Sequence, residues 1–300
     1  MGMKDVMKPS CTKAALLFAA MILSDASHAG NEASVAEGPY FGQQPPGLTP
    51  EVFAPGIISK GHRELSGFFS PDMTEYYYTL KKTNSEDWWL VSLKQADGRW
   101  TVSGMTERVG RPIVSPDGKT MHLGKHYRER AGDDWGEMKS LGPDFEDIRI
   151  MRLSATLDGT YVFDEAGVPN GDGIIRYSHL VDGVRQAPEA FGTEINTGLW
   201  NAHPFVAPDG SYIIWDGERE SGQGDGDLYI SFQLPDGTWT DAQNMGAEIN
   251  TAASEAGAYV SPDGKYLFFN RMVPSAGGNG EPQSDLYWID AQVIKDLQPE

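Results

Sequence analysis

The chain has 300 residues, a formal net charge of −19, 39% hydrophobic residues and a single cysteine. That acid excess excludes a nucleic-acid partner, since binding phosphates takes lysines and arginines to neutralise them. One cysteine excludes an intrachain disulfide.

Residues 1–29 read as a cleaved secretory signal. Lys4, Lys8 and Lys13 make a basic segment, 14-AALLFAAMIL-23 an apolar one, and 27-SHA-29 supplies small residues before a cut after Ala29. The apolar run is too short to cross a hydrocarbon core, which takes about 20 residues. Cys11 goes with the signal. Without three lysines and two aspartates the net charge moves from −19 to −20. The expectation is a periplasmic or secreted protein, monomeric, without a transmembrane segment once mature. Residues 30–48, rich in Gly, Pro and Gln, read as a flexible leader, and 49–300 as one domain.

From Phe68 onward the chain repeats itself. The segments 68-FFSPDMTEYYYT, 113-IVSPDGKTMHL, 153-LSATLDGTYVF, 205-FVAPDGSYIIW and 259-YVSPDGKYLFF share Asp72, Asp117, Asp158, Asp209 and Asp263. Proline pre-sets one turn dihedral and glycine accepts a positive φ, so each segment predicts a hairpin between apolar strands. An aspartate then leads a third strand, at Asp87, Asp134, Asp172, Asp227 and Asp285. A fourth is clearest in 187-APEAFGTEINT-197 and 241-DAQNMGAEINT-251. Four strands in a unit of this length predict an all-β fold, a β-propeller.

The last unit ends after its third strand, at 285-DLYWID-290. The segment 49-TPEVFAPGIIS-59 aligns with 187–197, placing Glu51 on Glu189, Phe53 on Phe191 and Ile57 on Ile195. It is therefore expected to be the missing fourth strand, closing the ring and removing the exposed edges. Five blades follow. In the second, 139–150 must supply an outer strand without the usual signature. Deleting 49–59 is expected to destabilise the fold, and deleting 30–44 to cost little.

The S-P-D-G-K hairpin with its trailing D-[IL]-Y strand resembles the WD-like repeats of TolB-type periplasmic proteins over residues 49–290. The resemblance implies a propeller that serves as a binding platform for proteins or ligands of the cell envelope. Such propellers usually have six blades, so a count of five is a departure, with six the alternative.

The innermost strands should line the central funnel. The alternating positions before each hairpin are Ser66 and Glu64, Arg111 and Val109, Arg152 and Ile150, His203 and Asn201, and Gly257 and Glu255. Arg111, Arg152, Asn201, His203 and Glu255 are the candidate ligand residues, because a guanidinium holds an oxyanion in a fixed fork. A second ring is expected at Thr79, Gly124, Glu165, Asp216 and Asn270, near Arg219 and Arg271. Glu64, Glu165, Asp216 and Glu255 are the candidate carboxylates should the site hydrolyse glycosides. An internal salt-bridge ring is the structural alternative for the same residues.

The aspartates that lead the third strands, needed once per unit, are expected to bond turn amides. The loops 170-NGDG-173 and 224-GDGD-227 faintly resemble calcium loops but lack the later glutamate, so no cofactor is expected. The five histidines after the signal form no HExxH pair, and no nucleophile elbow or phosphate loop is present. The leading expectation is non-catalytic binding of an envelope protein, a saccharide or a small anion at the funnel. A carbohydrate-active hydrolase or lyase and a pure scaffold are the alternatives.

Overall fold

The computed structural model describes residues 35–168, 173–273 and 282–299; the signal segment, the 170–172 loop and part of the last hairpin lie outside these. The described residues are nearly all β-structure. Antiparallel pairing sorts most strands into five ladders in chain order. The first takes Arg63–Phe69, Glu75–Lys81, Trp88–Ala96 and Arg99–Glu107. The second takes Ile113–Val114, Thr120–Leu123, His126–Ala131 and Lys139–Ser140, and the third Leu153–Ala155, Tyr161–Ala166, Gly173–Ser178 and Glu189–Ala190. The fourth takes Trp200–Val206, Tyr212–Glu218, Asp227–Phe232 and Gln243–Asn244. The fifth takes Ser254–Val260, Tyr266–Val273, Gln283–Asp290 and Glu51–Val52. The fold is a β-propeller.

The repeated hairpin has one chemical basis. The carboxylates of Asp72, Asp117, Asp158, Asp209 and Asp263 each accept the backbone N–H two residues on, at 3.0–3.3 Å. Ser70, Ser115 and Ser261 donate their hydroxyls to the same oxygens, at 2.6–2.8 Å. A local bond of this kind fixes the reversal without help from distant residues.

The fourth strand of the last ladder comes from the start of the described chain, as its alignment predicts. Glu51 pairs with Trp288, Val52 with Tyr287, and the Phe53 N–H donates to the Leu286 carbonyl at 2.7 Å. Beyond Phe53 the alignment slips by one. Ile58, not Ile57, is the buried counterpart of Ile195, and Ser59 stands where Asn196 and Asn250 bond the third strands of their ladders.

Two expectations need correction. In the second ladder the third strand is His126–Ala131; Asp134–Trp135 folds back onto it, and Lys139–Ser140 pairs on its outer edge. From Val35 on, the expected flexible leader is packed structure. Ala36–Glu37 adds a strand outside the first ladder, against Trp100 and Arg99. Tyr40 and Phe41, both in left-handed backbone conformations, are buried. The Tyr40 ring meets Tyr266 at 4.9 Å and Trp288 at 5.4 Å, and its hydroxyl donates to Asp263 at 2.8 Å. The Phe41 ring lies 4.6 Å from Trp100 and 5.7 Å from Phe53. These aromatics wedge the first and fifth ladders together. Composition misled because two buried aromatic rings outweigh many polar neighbours.

Tyr40→Ala, Phe41→Ala and Phe53→Ala should each destabilise the protein by roughly 3–5 kcal/mol, the usual cost of truncating a buried aromatic. Deleting 35–44 should cost about as much as deleting 49–59. Urea unfolding of the variants checks both; near-wild-type midpoints would refute the wedge.

Candidate functional site

The inner strands meet at a polar centre. Three of them carry a bulge at the same station, where Ser66, His203 and Gly257 adopt left-handed conformations with φ of 53°, 50° and 66°. A bulge re-aims the backbone out of the ladder. Each bulge N–H then donates to a second-strand side chain of the preceding ladder. Ser66 reaches Asn270 Oδ1 at 3.0 Å, His203 reaches Asp164 Oδ2 at 2.8 Å, and Gly257 reaches Asp216 Oδ1 at 3.0 Å. Arg111 and Arg152 hold the corresponding station in the second and third ladders, joined by a backbone bond from the Arg111 N–H to the Met151 carbonyl at 2.7 Å. The first and second ladders meet through the Arg130–Glu75 ion pair at 2.6 Å and a bond from the Trp135 indole to the Tyr77 hydroxyl at 3.0 Å.

The predicted second ring holds at Thr79, Asp216 and Asn270, but in the third ladder it is Asp164 that faces the centre. Glu165 points away into an ion pair with Arg176. The cause is the turn. Four hairpins close between the residue before the proline and the residue five further on, whereas 156-TLDGT-160 closes from the Thr156 N–H to the Thr160 carbonyl, one residue sooner. The register shifts by one, and a shift of one exchanges the faces of a strand. Asp164 is buried, and its oxygens accept the N–H groups of Met151, Arg152 and His203.

The candidate ligand residues divide into two kinds. Asn201 and Glu255 serve the framework. Asn201 Oδ1 accepts the Trp215 indole at 3.0 Å. Glu255 is fully buried, bonded to the Thr251 N–H and hydroxyl and ion-paired with Arg271 at 2.7 Å. Glu64 accepts the Lys60 and His62 N–H groups in the same way, but Leu80 stands opposite it where Arg271 stands opposite Glu255. Its second oxygen is buried without a partner, and burial pushes its carboxyl up to about 7. His203 Nδ1 bonds the Asp216 carboxylate at 2.9 Å. Burial raises the Asp216 carboxyl, yet His203, Arg111 and the Gly257 N–H outweigh it and leave the group below its usual value.

Arg111 and Arg152 differ from the rest. Arg152 is 1% exposed, and its Nε and Nη1 have no hydrogen-bond partner; Arg111 Nη1 is likewise buried and unpartnered. Neither forms an ion pair among the described residues. Burial, then the neighbouring Arg111, lowers the Arg152 guanidinium to about 10. Two adjacent buried cations with free N–H groups can receive an anion.

Other predicted features fall elsewhere. Of the third-strand aspartates, Asp227 bonds the Gln223 and Gly224 amides as expected, Asp87 and Asp134 are exposed, and Asp172 lies outside the described residues. Among the described residues no three His, Cys, Asp or Glu side chains gather as a metal site. His122 is buried with neither ring nitrogen bonded, and burial holds it neutral, down at about 3. A cavity of about 440 Å³ lies off-centre, between the first and second ladders, lined by Tyr77, Lys94, Thr106, Arg128 and Trp135 among others. Sequence periodicity gives no sign of it, because its walls come from two ladders.

No protein-family model and no curated protein matches the chain. Among solved structures, TolB from Acinetobacter baumannii is 16% identical, with a TM-score of 0.45 over 77% of this chain. The chain spans 57% of that protein's length. A thermostable family-43 glycoside hydrolase is 14% identical, with a TM-score of 0.48 over 77% of this chain and 91% of its own. The catalytic domain of the Coprinopsis cinerea GH62 α-L-arabinofuranosidase is 10% identical, with a TM-score of 0.48 over 82% and 95%.

Glu64 generates a pH prediction. Its folded pKa is raised, so the folded state binds the proton more tightly than the unfolded state. That stability is fully present below pH 4.5, the unfolded value, and is lost as the pH rises through about 7. Glu64→Gln should flatten the loss, a difference of roughly 2–3 kcal/mol at neutral pH, measurable by denaturant unfolding across the range. An unchanged pH profile would mean that Glu64 is ionised in the folded protein.

Proposed function

We propose that this protein is a non-catalytic binding propeller of the cell envelope, exported to the periplasm or beyond, whose centre takes a small anion between Arg111 and Arg152. The observation that carries this reading is the pair of buried guanidinium groups with unpartnered N–H groups. Burying a charge without a partner costs several kcal/mol, and a bound anion would offset that cost. The framework supports the reading by leaving the arginines free. Asp164 and Asp216 lie near enough to act on both arginines electrostatically, yet their oxygens are taken up by backbone N–H groups and His203.

The size of the ligand follows from burial. Glu64, Glu255, Asn201 and Arg152 are all closed off, which suits an ion or a small organic acid at the axis rather than a saccharide chain. The hydrolase alternative needs two open carboxylates flanking a cleft. Here Glu165 and Glu255 are held by arginines and Asp216 by His203, so three of the four candidate carboxylates serve the framework, and buried Glu64 is left with no second open carboxylate to work with. An envelope protein could still dock on the outside of such a propeller, with the anion as its internal support.

The test is a thermal-unfolding titration of the mature protein with sodium acetate, sulfate and chloride in a HEPES background of constant ionic strength. Saturable stabilisation is expected for at least one anion, approaching about 2.7 kcal/mol at a hundredfold excess over Kd. Arg152→Met, which also relieves the repulsion with Arg111, should abolish it, and a cooperative unfolding transition without added anion checks that the variant is folded. Equal anion responses in wild type and variant would overturn the proposal.

A further inference from the structure

We infer that Gly257 is the open station of the central ring, and that its missing side chain is the seat of a small, singly charged carboxylate bridging Arg111 and Arg152. The inference rests on the anion reading above and names its location and ligand class. Glycine at a left-handed position ordinarily needs no explanation beyond backbone strain. Here that explanation falls short. Ser66 and His203 hold the same bulge at φ of 53° and 50° and carry side chains. The station therefore tolerates a Cβ in two of three cases, and glycine at 257 answers a close approach of polar groups to the backbone.

That approach is on the side of the arginines. A Cβ on Gly257 would stand 3.6 Å from Arg111 Nη1, 3.8 Å from Arg152 Nη1 and 3.2 Å from Asn270 Oδ1. Both of those guanidinium nitrogens are buried and lack partners. One point in the structure thus sees two free cationic donors from two ladders, in the place a side chain would fill. A ligand oxygen beyond that point, at non-bonded distance from the Gly257 Cα, is charge-assisted from both sides, and the planar guanidinium fork suits a carboxylate.

The surroundings set the charge and size. Asp216 bonds the Gly257 backbone and Asp164 lies across the same cluster, so a dianion would meet two carboxylates at close range. A monoanion meets about half the repulsion a dianion would, while still engaging both guanidinium groups. Among the described residues Asn270 Oδ1 accepts only the Ser66 N–H, so it has a lone pair for a ligand hydroxyl. The fit is to acetate or glycolate rather than sulfate or phosphate, with glycolate favoured by its O–H.

The experiment is isothermal titration of glycolate, acetate and sulfate into wild type, Gly257→Ser and Arg152→Met, in HEPES at fixed ionic strength. Wild type should bind glycolate at least tenfold more tightly than sulfate. Gly257→Ser, which gives position 257 the side chain that position 66 tolerates, should lose at least tenfold in glycolate affinity. Glycolate binding that survives Gly257→Ser but is lost in Arg152→Met would overturn the Gly257 seat and leave the anion reading standing. Absence of binding by wild type to all three anions would overturn both. Should Gly257→Ser fail to fold, wild-type crystals soaked in glycolate decide the matter. Density beside the Gly257 Cα is expected, and density elsewhere or none refutes the seat.

Discussion

The structure depends on one recurring bond, a bulge N–H on an inner strand donated to a buried side chain of the preceding ladder. Ser66 to Asn270, His203 to Asp164 and Gly257 to Asp216 repeat it. A strand bonds mostly within its own sheet, so neighbouring sheets of a propeller are otherwise joined by side-chain packing and a few isolated bonds such as Arg111 N–H to the Met151 carbonyl. The bulge breaks the ladder locally and frees a strong donor that must be satisfied when buried. Satisfying it from the next ladder fixes the two against each other. It also determines the chemistry of the centre, since Asp164, Asp216 and Asn270 become framework and leave Arg111 and Arg152 without partners.

Ring closure follows a different logic. Between the fifth and first ladders the Ser66–Asn270 bond is reinforced by residues 35–59, which contribute a strand to each ladder and three aromatic rings between them. The chain ends of a closed ring must be held, because opening one seam exposes two sheet edges at once. The aromatic wedge adds dispersion and apolar burial where the cut in the chain would otherwise weaken the ring. The first–second seam, by contrast, is held by an ion pair and a tyrosine hydroxyl and contains a cavity of about 440 Å³. The ring thus packs aromatic rings at its closure and encloses a cavity at the first–second seam.

Much of this was legible in the residues. The turn aspartates announce the hairpins because their chemistry is local: a carboxylate bonding an amide two positions away needs nothing distant. The central stations Ser66, Arg111, Arg152, His203 and Gly257 follow from counting back from those turns, since a strand keeps a period of two. Counting failed in two places. In the third hairpin the strands close one residue sooner after the same four-residue turn, which exchanged Glu165 for Asp164. In the stretch after Phe53 one extra residue displaced Ile57 by Ile58. Each error is a single residue of register, which turn geometry sets and which a pattern of residue types records only faintly.

The sequence by itself determined the propeller, its hairpins and the closing strand at 51–52, because each of these follows from local bonding and periodicity. Only the tertiary structure decided which of the central polar groups are spent and which are free. Glu255 and Glu64 look alike in the chain, yet one faces Arg271 and the other Leu80. Arg111 and Arg152 look like halves of salt bridges, yet the carboxylates beside them are committed to backbone amides. Partnership of a buried charge is settled by what stands across from it, on the neighbouring strand for Glu255 and Glu64 and mostly in other ladders for Arg111 and Arg152.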